Sequence, residues 1–483
     1  MEEGGSMMAF SDGLTIVCKR DCDTCRMIVP VFEQLLADGQ DVTIYSQDDP
    51  TFPVESAVHD HTLETSFHLN IEIVPTLIRV ENGRETARTV GWNRDEWESI
   101  SGVSGLGEGL VARKPGCGAL NVMPGTAEFL QIRYGNSGIS ARQIEVPPLS
   151  DEIEACYERG WTDGLPVVPP TPERVLRMLG GTRRAAEEVV AMVPPNNVAC
   201  TVQKVAINAV MAGCKPEYMP VVLAAVEAAC LDEFCMHGLL ATTYFSGPVV
   251  IVNGPITRRI GMNAGVNALG QGNRANATIG RALQLVIRNV GGGKPGGVDR
   301  AMMGNPGKYT FCFAEREADS PWESLAVERG FAADASTVTL FAGDGVQAIM
   351  DQLSRTPESL ARTFAQCLRV VCHPKIALKA DAILAVSPEH ARVFAQAGWS
   401  KARLKQELHR LLTLEGKEIV RGADGIAEGM PDKYKDSLVR KFKPDGLHIV
   451  HVGGTAGLFS AVIGGWPASG PVGSTAVTVA IDD

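Results

Sequence analysis

The fold of the first hundred residues is best predicted from residues 14–26, Leu14-Thr-Ile-Val-Cys-Lys-Arg-Asp-Cys-Asp-Thr-Cys-Arg26. Its first five residues form an apolar run typical of a buried strand, and a polar turn follows. Residues 26–37 then have the apolar spacing of an amphipathic helix. Cys22 and Cys25 therefore stand where that helix begins. Free N–H groups and the helix dipole favour a thiolate there, which predicts a lowered pKa for Cys22.

The segments that follow predict a small mixed sheet. Residues 41–45 and 73–80 have the composition of strands, and Glu81-Asn-Gly83 is a turn that leads into a hairpin partner over residues 84–90. A helix is predicted over residues 94–100. Strands and helices thus alternate with short connections, which favours an α/β domain.

Residues 11–105 resemble the thioredoxin family, on three features of the sequence. A C-x-x-C motif lies between a strand and a helix, and Val74-Pro75-Thr76 matches the cis-proline segment of the family. The V-x-N-G hairpin with Gly91 matches its last two strands. The resemblance implies that Cys22 is the nucleophile, that Cys25 resolves the mixed disulfide and that Pro75 lies beside them.

The motif differs from the usual family pattern in its flanking residues. Asp21 stands where the family has Trp, and Asp23-Thr24 replace Gly-Pro. Because carboxylates oppose formation of a nearby thiolate, a module without redox activity remains an alternative. A zinc site is not expected, since no second ligand pair has suitable spacing.

Composition limits the classes of function. The chain has 483 residues, which suggests two or three domains, and its 45% apolar and 21% charged residues are typical of a globular protein. With 45 basic and 56 acidic side chains the net charge is −11, so bulk charge attracts neither nucleic acid nor an anionic membrane. We find no transmembrane segment and expect no signal peptide in residues 1–10, so we expect a cytoplasmic protein. No cofactor motif and no metal ligand set are recognised.

Residues 101–116 are rich in Gly and Ser and predict a flexible linker. The expected division is a thioredoxin-like domain over 1–100 and a large domain over 117–483, with a boundary between two subdomains near residue 335. Cys117 lies between two glycines, where backbone N–H groups can approach a thiolate. We predict a reactive thiol that the tethered Cys22–Cys25 pair reduces, with Cys214 as the second candidate. The alternative is a turn cysteine with no chemical role.

In the large domain, alternating strands and helices predict a mostly parallel sheet. Binding and catalytic residues are expected at the carboxyl ends of its strands. A polar loop over residues 261–280 leads into a helix over 275–289 and could hold a carboxylate or phosphate. In the alternative interpretation its amides cap one another. The predicted substrate-binding residues, including a later Gly-rich turn, are Asn263, Asn267, Asn273, Arg274, Asn276, Thr278, Arg281, Gly453, Gly454 and Thr455.

Two residues are candidates for proton transfer. Glu315 follows a strand predicted over residues 309–314, a usual position for an acid or base. His237 precedes a polar turn, although a histidine satisfied by its neighbours is the alternative. Residues 447–452 predict another strand, and residues 458–463 a helix after the turn at Gly453.

From residue 117 to its end, the chain is similar to the UGSC-type (seleno)protein family. The matching segments lie at 163–171, 273–281, 388–391 with 398–401, and 453–457 with 464–466. The selenocysteine motif U-G-S-C has its nearest counterpart in Cys117-Gly-Ala-Leu120, which lacks the serine and the second cysteine. If the segments align, the resemblance implies selenium-type redox chemistry at Cys117.

Three functions remain open from the sequence. The first is a thiol-dependent oxidoreductase or reductive lyase that acts on a small polar or anionic substrate, with an external thiol as reductant. The second is a carbon–sulfur lyase or sulfur-transfer enzyme with a nucleophilic cysteine. The third is a non-catalytic binding protein in which the thioredoxin-like module docks. We also expect a homo-oligomer that binds neither nucleic acid nor membrane.

Overall fold

A computed structural model describes residues 11–135, 139–142, 144, 146–147, 150–467 and 473–482. The chain forms two compact units, Met1–Ile139 and Ser140–Asp483. The division therefore comes after residue 139, whereas the sequence suggested 117. Residues 1–10, where we expected no signal peptide, lie outside the described residues. None of the described helices is long and apolar enough to cross a membrane.

The first unit combines strands and helices. Its strands are β1 (Gly13–Cys18), β2 (Val42–Ser46), β3 (Val58–His59), β4 (Ile73–Val74), β5 (Thr76–Glu81), β6 (Arg84–Val90), β7 (Trp92–Asn93), β8 (Arg113–Lys114) and β9 (Cys117–Gly118). Its helices are α1 (Asp23–Met27), α2 (Val29–Ala37), α3 (Glu64–His68), α4 (Arg94–Ser101) and α5 (Thr126–Tyr134), with a 3₁₀ turn at Leu120–Val122. The helix predicted over 26–37 is thus two helices, which divide at Ile28.

Five strands form one mixed sheet in the order β3-β2-β1-β5-β6. β1 runs parallel to β2 and antiparallel to β5, and β5 and β6 form the predicted hairpin. Ile16 and Val17 of β1 are fully buried, as are Phe32 and Trp97 on the helices. Burial of β1 on both faces explains its continuous apolar run. This central strand delivers the chain to Cys22.

Residues 101–116 belong to the first unit and are not a free linker. Leu106 is only 1% exposed, and the Trp92 indole donates to Val111 O at 2.6 Å. The Arg94 guanidinium donates to three backbone carbonyls of the segment, and β8 pairs with β7. The Gly-rich composition serves turns that pack against the core, which composition alone does not distinguish from a flexible chain.

The second unit also mixes strands and helices. Its strands are β10 (Val189–Val193), β11 (Val198–Thr201), β12 (Gly247–Asn253), β13 (Cys312–Ala314), β14 (Thr337–Met350), β15 (Ala380–Val386), β16 (Thr413–Glu415), β17 (Leu438–Arg440), β18 (Phe442–His451), β19 (Phe459–Gly465) and β20 (Val477–Ala480). Its helices are α6 (Glu152–Glu158), α7 (Pro172–Leu179), α8 (Val202–Ala212), α9 (Met219–Ala229), α10 (Met236–Ala241), α11 (Ile256–Arg259), α12 (Arg274–Asn289), α13 (Leu325–Glu328), α14 (Pro357–Arg369), α15 (Pro388–Gln396), α16 (Lys401–Leu411) and α17 (Gly416–Ile419). Short 3₁₀ turns lie at Pro216–Tyr218, Asp232–Phe234, Pro306–Lys308, Ala423–Gly425 and Asp432–Tyr434.

The large sheet is mixed, and the expectation of a mostly parallel sheet is wrong. Its strand order is β13-β12-β14-β19-β15-β18, with β20 beside β14. Among the six strand pairs that the described residues form here, only β12–β13 and β15–β18 are parallel. Antiparallel strands enter because β14 and β19 lie between the two parallel pairs. A buried apolar run is compatible with either strand direction, so the sequence did not reveal this.

Two further expectations for this unit are corrected. The segment predicted as a helix over 458–463 forms β19 in the middle of the sheet. No boundary lies near residue 335, since β14 begins at Thr337 and pairs with strands from both sides of that position. The edge strands β13 and β18 meet where they end, because Arg316 N–H donates to His451 O at 2.7 Å. The two faces of the sheet pack into different apolar clusters, since Ile383 of β15 belongs to one and Leu384 to the other.

Candidate functional site

The C-x-x-C motif lies where β1 ends and α1 begins. Cys22 is the residue before the helix, and its sulfur accepts a hydrogen bond from Cys25 N–H at 3.4 Å. The same sulfur lies 3.5 Å from Val74 O, to which the thiol form can donate. Cys22 is 2% exposed and Cys25 is completely buried, and both are free thiols. The predicted position of the pair at a helix start is confirmed.

The segment that contains Pro75 lies beside this pair, since the residue before it, Val74, contacts Cys22. The Val74–Pro75 peptide bond is cis, as the match to a cis-proline segment implied. Pro75 O accepts a hydrogen bond from Gly91 N–H at 2.7 Å, which attaches the segment to the end of the hairpin. Val74 is thereby held with its carbonyl oxygen toward the Cys22 sulfur.

Cys117 also lies beside Cys22, although it is more than forty residues beyond Val74 in the chain. β9 pairs antiparallel with β4, and Cys117 stands opposite Val74 in the register. Thr24 Oγ donates to Pro115 O at 2.6 Å, so the segment is attached to α1 as well. The Cys117 thiol donates a hydrogen bond to the Cys22 sulfur. The first unit therefore contains a site of three cysteines, and Cys117 is not part of the large domain.

Glycine at position 116 makes this approach possible. A Cβ atom built on Gly116 would lie 2.6 Å from Val74 O and would also overlap the Ile73 side chain. A Cβ atom on Gly91 would lie 2.8 Å from Gly116 N. Both glycines are thus required by close backbone packing, which brings Cys117 within reach of Cys22.

The surroundings favour the thiolate of Cys22. A hydrogen bond from the Cys25 thiol contributes most to lowering the pKa of Cys22, to about 5, against the opposing effect of burial. The Cys117 thiol and backbone N–H groups add to it. Burial raises the pKa of Cys25 and that of Cys117, and the Cys22 thiolate raises both further. Thiol–disulfide exchange begins with a thiolate, and the thiols of Cys25 and Cys117 favour that form at Cys22.

The acidic residues of the motif do not oppose this thiolate as their types suggested. The Asp23 carboxylate forms an exposed ion pair with Arg26. Asp21 lies on the surface, where its N–H donates to the Asp48 carboxylate at 2.9 Å. Asp21 and Asp23 are not among the main causes of the shift in the pKa of Cys22. Charge pairing and solvent screening account for the difference.

In the second unit, the loop over 261–280 forms an internal network of hydrogen bonds. Asn273 caps α12 through Asn276 N–H, and the Asn276 amide bonds to both the N–H and the C=O of Asn263. The remaining predicted residues also have protein partners: Asn267 donates to Gln271 O, Arg274 to Gly213 O, Thr278 to Arg274 O and Arg281 to the Asp163 carboxylate. These contacts favour the interpretation that the amides cap one another.

The Gly-rich turn at Gly453 lies against that loop. Gly453 N–H donates to Ala264 O at 2.9 Å, and Gly453 O accepts from the Arg316 guanidinium at 3.1 Å. Gly454 packs on Val266, while Thr455 is exposed. The fold does bring these predicted residues together, but through their backbones.

Glu315 is buried where β13 ends. Its carboxylate accepts from the Asn253 amide and from Leu325 N–H, both at 2.7 Å, and from His451 N–H at 3.4 Å. Burial raises the pKa of Glu315, and Lys401 and these donors only partly compensate. His451 Nε2 and Asn253 Oδ1 are buried without a hydrogen-bond partner among the described residues. Asn253, Glu315 and His451 thus form a polar cluster where β12, β13 and β18 end.

Two other predicted residues are not part of these clusters. His237 is exposed on α10. Cys214 is buried, its thiol donates to Thr278 O at 3.4 Å, and burial raises its pKa to about 12. Cys214 is buried and bonded to a backbone carbonyl, which is the environment of a structural cysteine, whereas the surroundings of Cys22 lower its pKa.

A second titratable cluster was missed. The Tyr244 hydroxyl donates to the Asp344 carboxylate at 2.7 Å, and burial raises the pKa of Asp344 to about 6. Asp381, paired with Lys443 at 2.7 Å, also has its pKa raised to about 6 by burial. These residues lie on three strands and one loop far apart in the chain, so no local motif could have indicated them.

Comparisons with known proteins add no family to this picture. No model of a known protein family matches the chain, and no curated protein matches it either. Among the described residues, no group of three or more His, Cys, Asp or Glu side chains could hold a metal ion. The three-cysteine site of the first unit is therefore the strongest candidate on geometry alone.

Proposed function

We propose that the first unit is a thioredoxin-like thiol–disulfide oxidoreductase with Cys22, Cys25 and Cys117 as its reacting groups. The observation that carries this proposal is that the fold brings Cys25 and Cys117 to the sulfur of Cys22, whose pKa both thiols lower. The sheet order, the helix start at Cys22 and the segment at Pro75 support the resemblance to the thioredoxin family. Cys22 and Cys25 of the motif exchange disulfides with a substrate, and Cys117 is a third thiol that can react with Cys22.

Reduction of a substrate disulfide would take two steps. The Cys22 thiolate attacks one sulfur of the substrate disulfide, which forms a Cys22–substrate mixed disulfide and releases the other sulfur as a thiolate. A second thiol of the protein then loses its proton and attacks the Cys22 sulfur. The substrate leaves with two reduced sulfurs, and the protein keeps one disulfide in their place. An external thiol returns the protein to its reduced state.

Two thiols of the site can carry out the second step. Cys25 N–H lies 3.4 Å from the Cys22 sulfur, and the buried Cys25 thiol is held beside it. Cys117 is half-buried and reaches the same sulfur from the opposite strand. In each of them the raised pKa keeps the proton until Cys22 has lost its negative charge in the mixed disulfide.

The proposal changes what we expect of the second unit. We expected the Cys22–Cys25 pair to reduce Cys117 in the large domain, but Cys117 belongs to the first unit. The UGSC-type resemblance of the large unit, a small polar or anionic substrate, a cytoplasmic location and a homo-oligomer remain proposals. A carbon–sulfur lyase and a docking module are not favoured by a particular contact.

Thiol trapping at controlled redox potential tests the proposal. The full chain is equilibrated with reduced and oxidised glutathione at about −240 mV, alkylated and analysed by mass spectrometry. We expect a Cys22–Cys25 disulfide in the native protein and a Cys22–Cys117 disulfide in the Cys25→Ser variant. The Cys367→Ser variant, altered at a half-buried thiol of the second unit, should behave as the native protein.

Turnover supplies the second readout. Reduction of insulin disulfides by dithiothreitol should be accelerated by the native chain and not by Cys22→Ser. Three thiols that stay fully reduced at every glutathione ratio, in a folded protein without insulin reductase activity, would disprove the proposal.

A further inference from the structure

A cavity of about 520 Å³ lies in the second unit. Its walls come from α10, the start of β12, the last turns of α12 and the Gly-rich segment over 293–309. Pockets for small organic molecules have volumes in the range ~300–1,000 Å³. The cavity takes no part in the proposed thiol chemistry, which is confined to the first unit.

One buried hydroxyl in this wall has no partner. Ser246 lines the cavity, is 1% exposed, and its Oγ makes no hydrogen bond to any described residue. A buried polar group is normally paired, because leaving it unpaired loses its hydration without replacement. The Ser246 hydroxyl is therefore free to donate to a bound molecule.

An arginine in the same wall is also unpaired. Arg288 lines the cavity from the last turn of α12, and its Nε is buried without a hydrogen-bond partner among the described residues. Within that part of the chain no ion pair involves Arg288. A guanidinium presents a planar fork of donors that fits the two oxygens of a carboxylate.

The other charges around the cavity neutralise one another. Lys308 pairs with Asp299 at 2.7 Å. Asp163 is held by two hydrogen bonds from Arg281, both 2.8 Å long. Among the described residues that line the cavity, Arg288 alone keeps an uncompensated positive charge, which suits a monoanion better than a phosphate dianion.

Most of the remaining wall is apolar. The side chains of Met236, Leu239, Leu240, Pro248 and Ile287 line it, together with the ring of Tyr309. A ligand that fills this space needs a hydrocarbon body as well as its charged group, since burying apolar surface drives binding.

We propose that this cavity binds a small carboxylic acid with an apolar body. Its carboxylate accepts hydrogen bonds from Arg288 and from the Ser246 hydroxyl, and its hydrocarbon part packs on Leu240 and Ile287. No local motif indicates this site, because its residues come from five separate segments of the chain.

Calorimetric titration tests the proposal with defined probes. The full chain is titrated with acetate, hexanoate, phenylacetate, the neutral isostere 2-phenylethanol and inorganic phosphate. We expect hexanoate or phenylacetate to bind, and 2-phenylethanol and phosphate to bind roughly tenfold more weakly or not at all. Acetate should also be weaker, because it lacks the apolar body.

Two variants assign the contacts. Arg288→Gln should weaken binding of the acid roughly tenfold or more, and Ser246→Ala should weaken it by a smaller factor. Arg258→Gln, which alters an exposed arginine outside the cavity wall, should leave the affinity unchanged. Circular dichroism and thermal midpoints confirm that each variant is folded.

Three results would overturn the inference. They are tighter binding of phosphate than of any acid, equal affinity of phenylacetate and 2-phenylethanol, and no binding of any probe to the folded native chain. Unchanged affinity in both Arg288→Gln and Ser246→Ala would also reject it. None of these results depends on Cys22, so a failure here is distinct from a failure of the proposed thiol chemistry.

Discussion

At the scale of single residues, the thiol chemistry that we propose for the first unit depends on the sulfur of Cys22. Its ordinary pKa of 9.0 falls to about 5, and a hydrogen bond from the Cys25 thiol is the largest favourable cause. The unfolded chain keeps the ordinary value, so between about pH 5 and pH 9 the unfolded state binds more protons than the folded one. Cys22 therefore stabilises the folded state as pH rises through this window, and that contribution is lost as pH falls toward 5.

Ultraviolet absorbance of the thiolate measures this titration directly. We expect the native protein to show a thiolate signal that titrates near pH 5 and disappears in Cys22→Ser. Cys25→Ala should keep a signal at Cys22 but move its midpoint to higher pH, because it removes the hydrogen bond that contributes most to the lowered pKa of Cys22. A titration of the native protein near pH 9 alone would contradict the prediction.

Single residues also show where sequence reasoning succeeded. The positions of Cys22, Cys25 and Pro75 could be predicted because they follow from a local pattern of strand, turn and helix. The environment of Asp23 was misjudged, since a residue type does not reveal that Arg26 pairs with it. The unpaired Arg288 could not be anticipated either, because whether a charge is compensated depends on distant segments.

At the scale of elements, the strand β9 covers the three-cysteine site. Gly116 precedes it, and a side chain there would collide with Val74 O. Gly118 is one pair further along the same strand, and a Cβ atom on it would meet no atom within 4 Å. The two glycines thus form a matched pair for testing what the close approach of β9 does.

Gly116→Ala should separate β9 from β4 and make Cys22 accessible. We expect iodoacetamide to alkylate Cys22 at least about tenfold faster in this variant, and the first unit to lose ~1–3 kcal/mol of stability. Gly118→Ala should alkylate at the native rate. Equal rates for the two variants would mean that β9 does not shield Cys22.

The elements themselves were predicted unevenly. The strands of the first sheet and the hairpin came from clear apolar runs and a turn signal. The segment at residues 458–463 was predicted as a helix because a Gly-rich turn preceded it, yet it is the central strand β19. Its neighbours β14 and β15 supply the backbone partners that decide the matter, and they lie far away in the chain.

At the scale of the whole molecule, the second unit is held together by contacts between distant segments. Arg281 of α12 donates twice to Asp163, and the two side chains are only 14% and 11% exposed. Although burial raises the pKa of Asp163, the hydrogen bonds from Arg281 bring that pKa below its ordinary value. We had predicted Arg281 as a substrate ligand, and its contacts give it a structural role.

Arg281→Gln should destabilise the second unit by about 1–3 kcal/mol, since it leaves the largely buried carboxylate of Asp163 without its partner. The change in the free energy of unfolding is measured by denaturant titration, with limited proteolysis to monitor the second unit. Arg258→Gln, at an exposed position, should change the stability by less than about 0.5 kcal/mol. Native stability in Arg281→Gln would restore the possibility that this arginine awaits a ligand.

Features that depend on near neighbours can be predicted from the residues alone: the strand before Cys22, the helix that starts there, the cis-proline segment and the α/β composition. The position of Cys117, the directions of the strands in the large sheet and the unpaired polar side chains become known only in the folded chain. Apolar runs and turns report local burial and backbone geometry, and nothing more. Partner choice between strands, and the compensation of buried charge, are set by segments far apart in the chain.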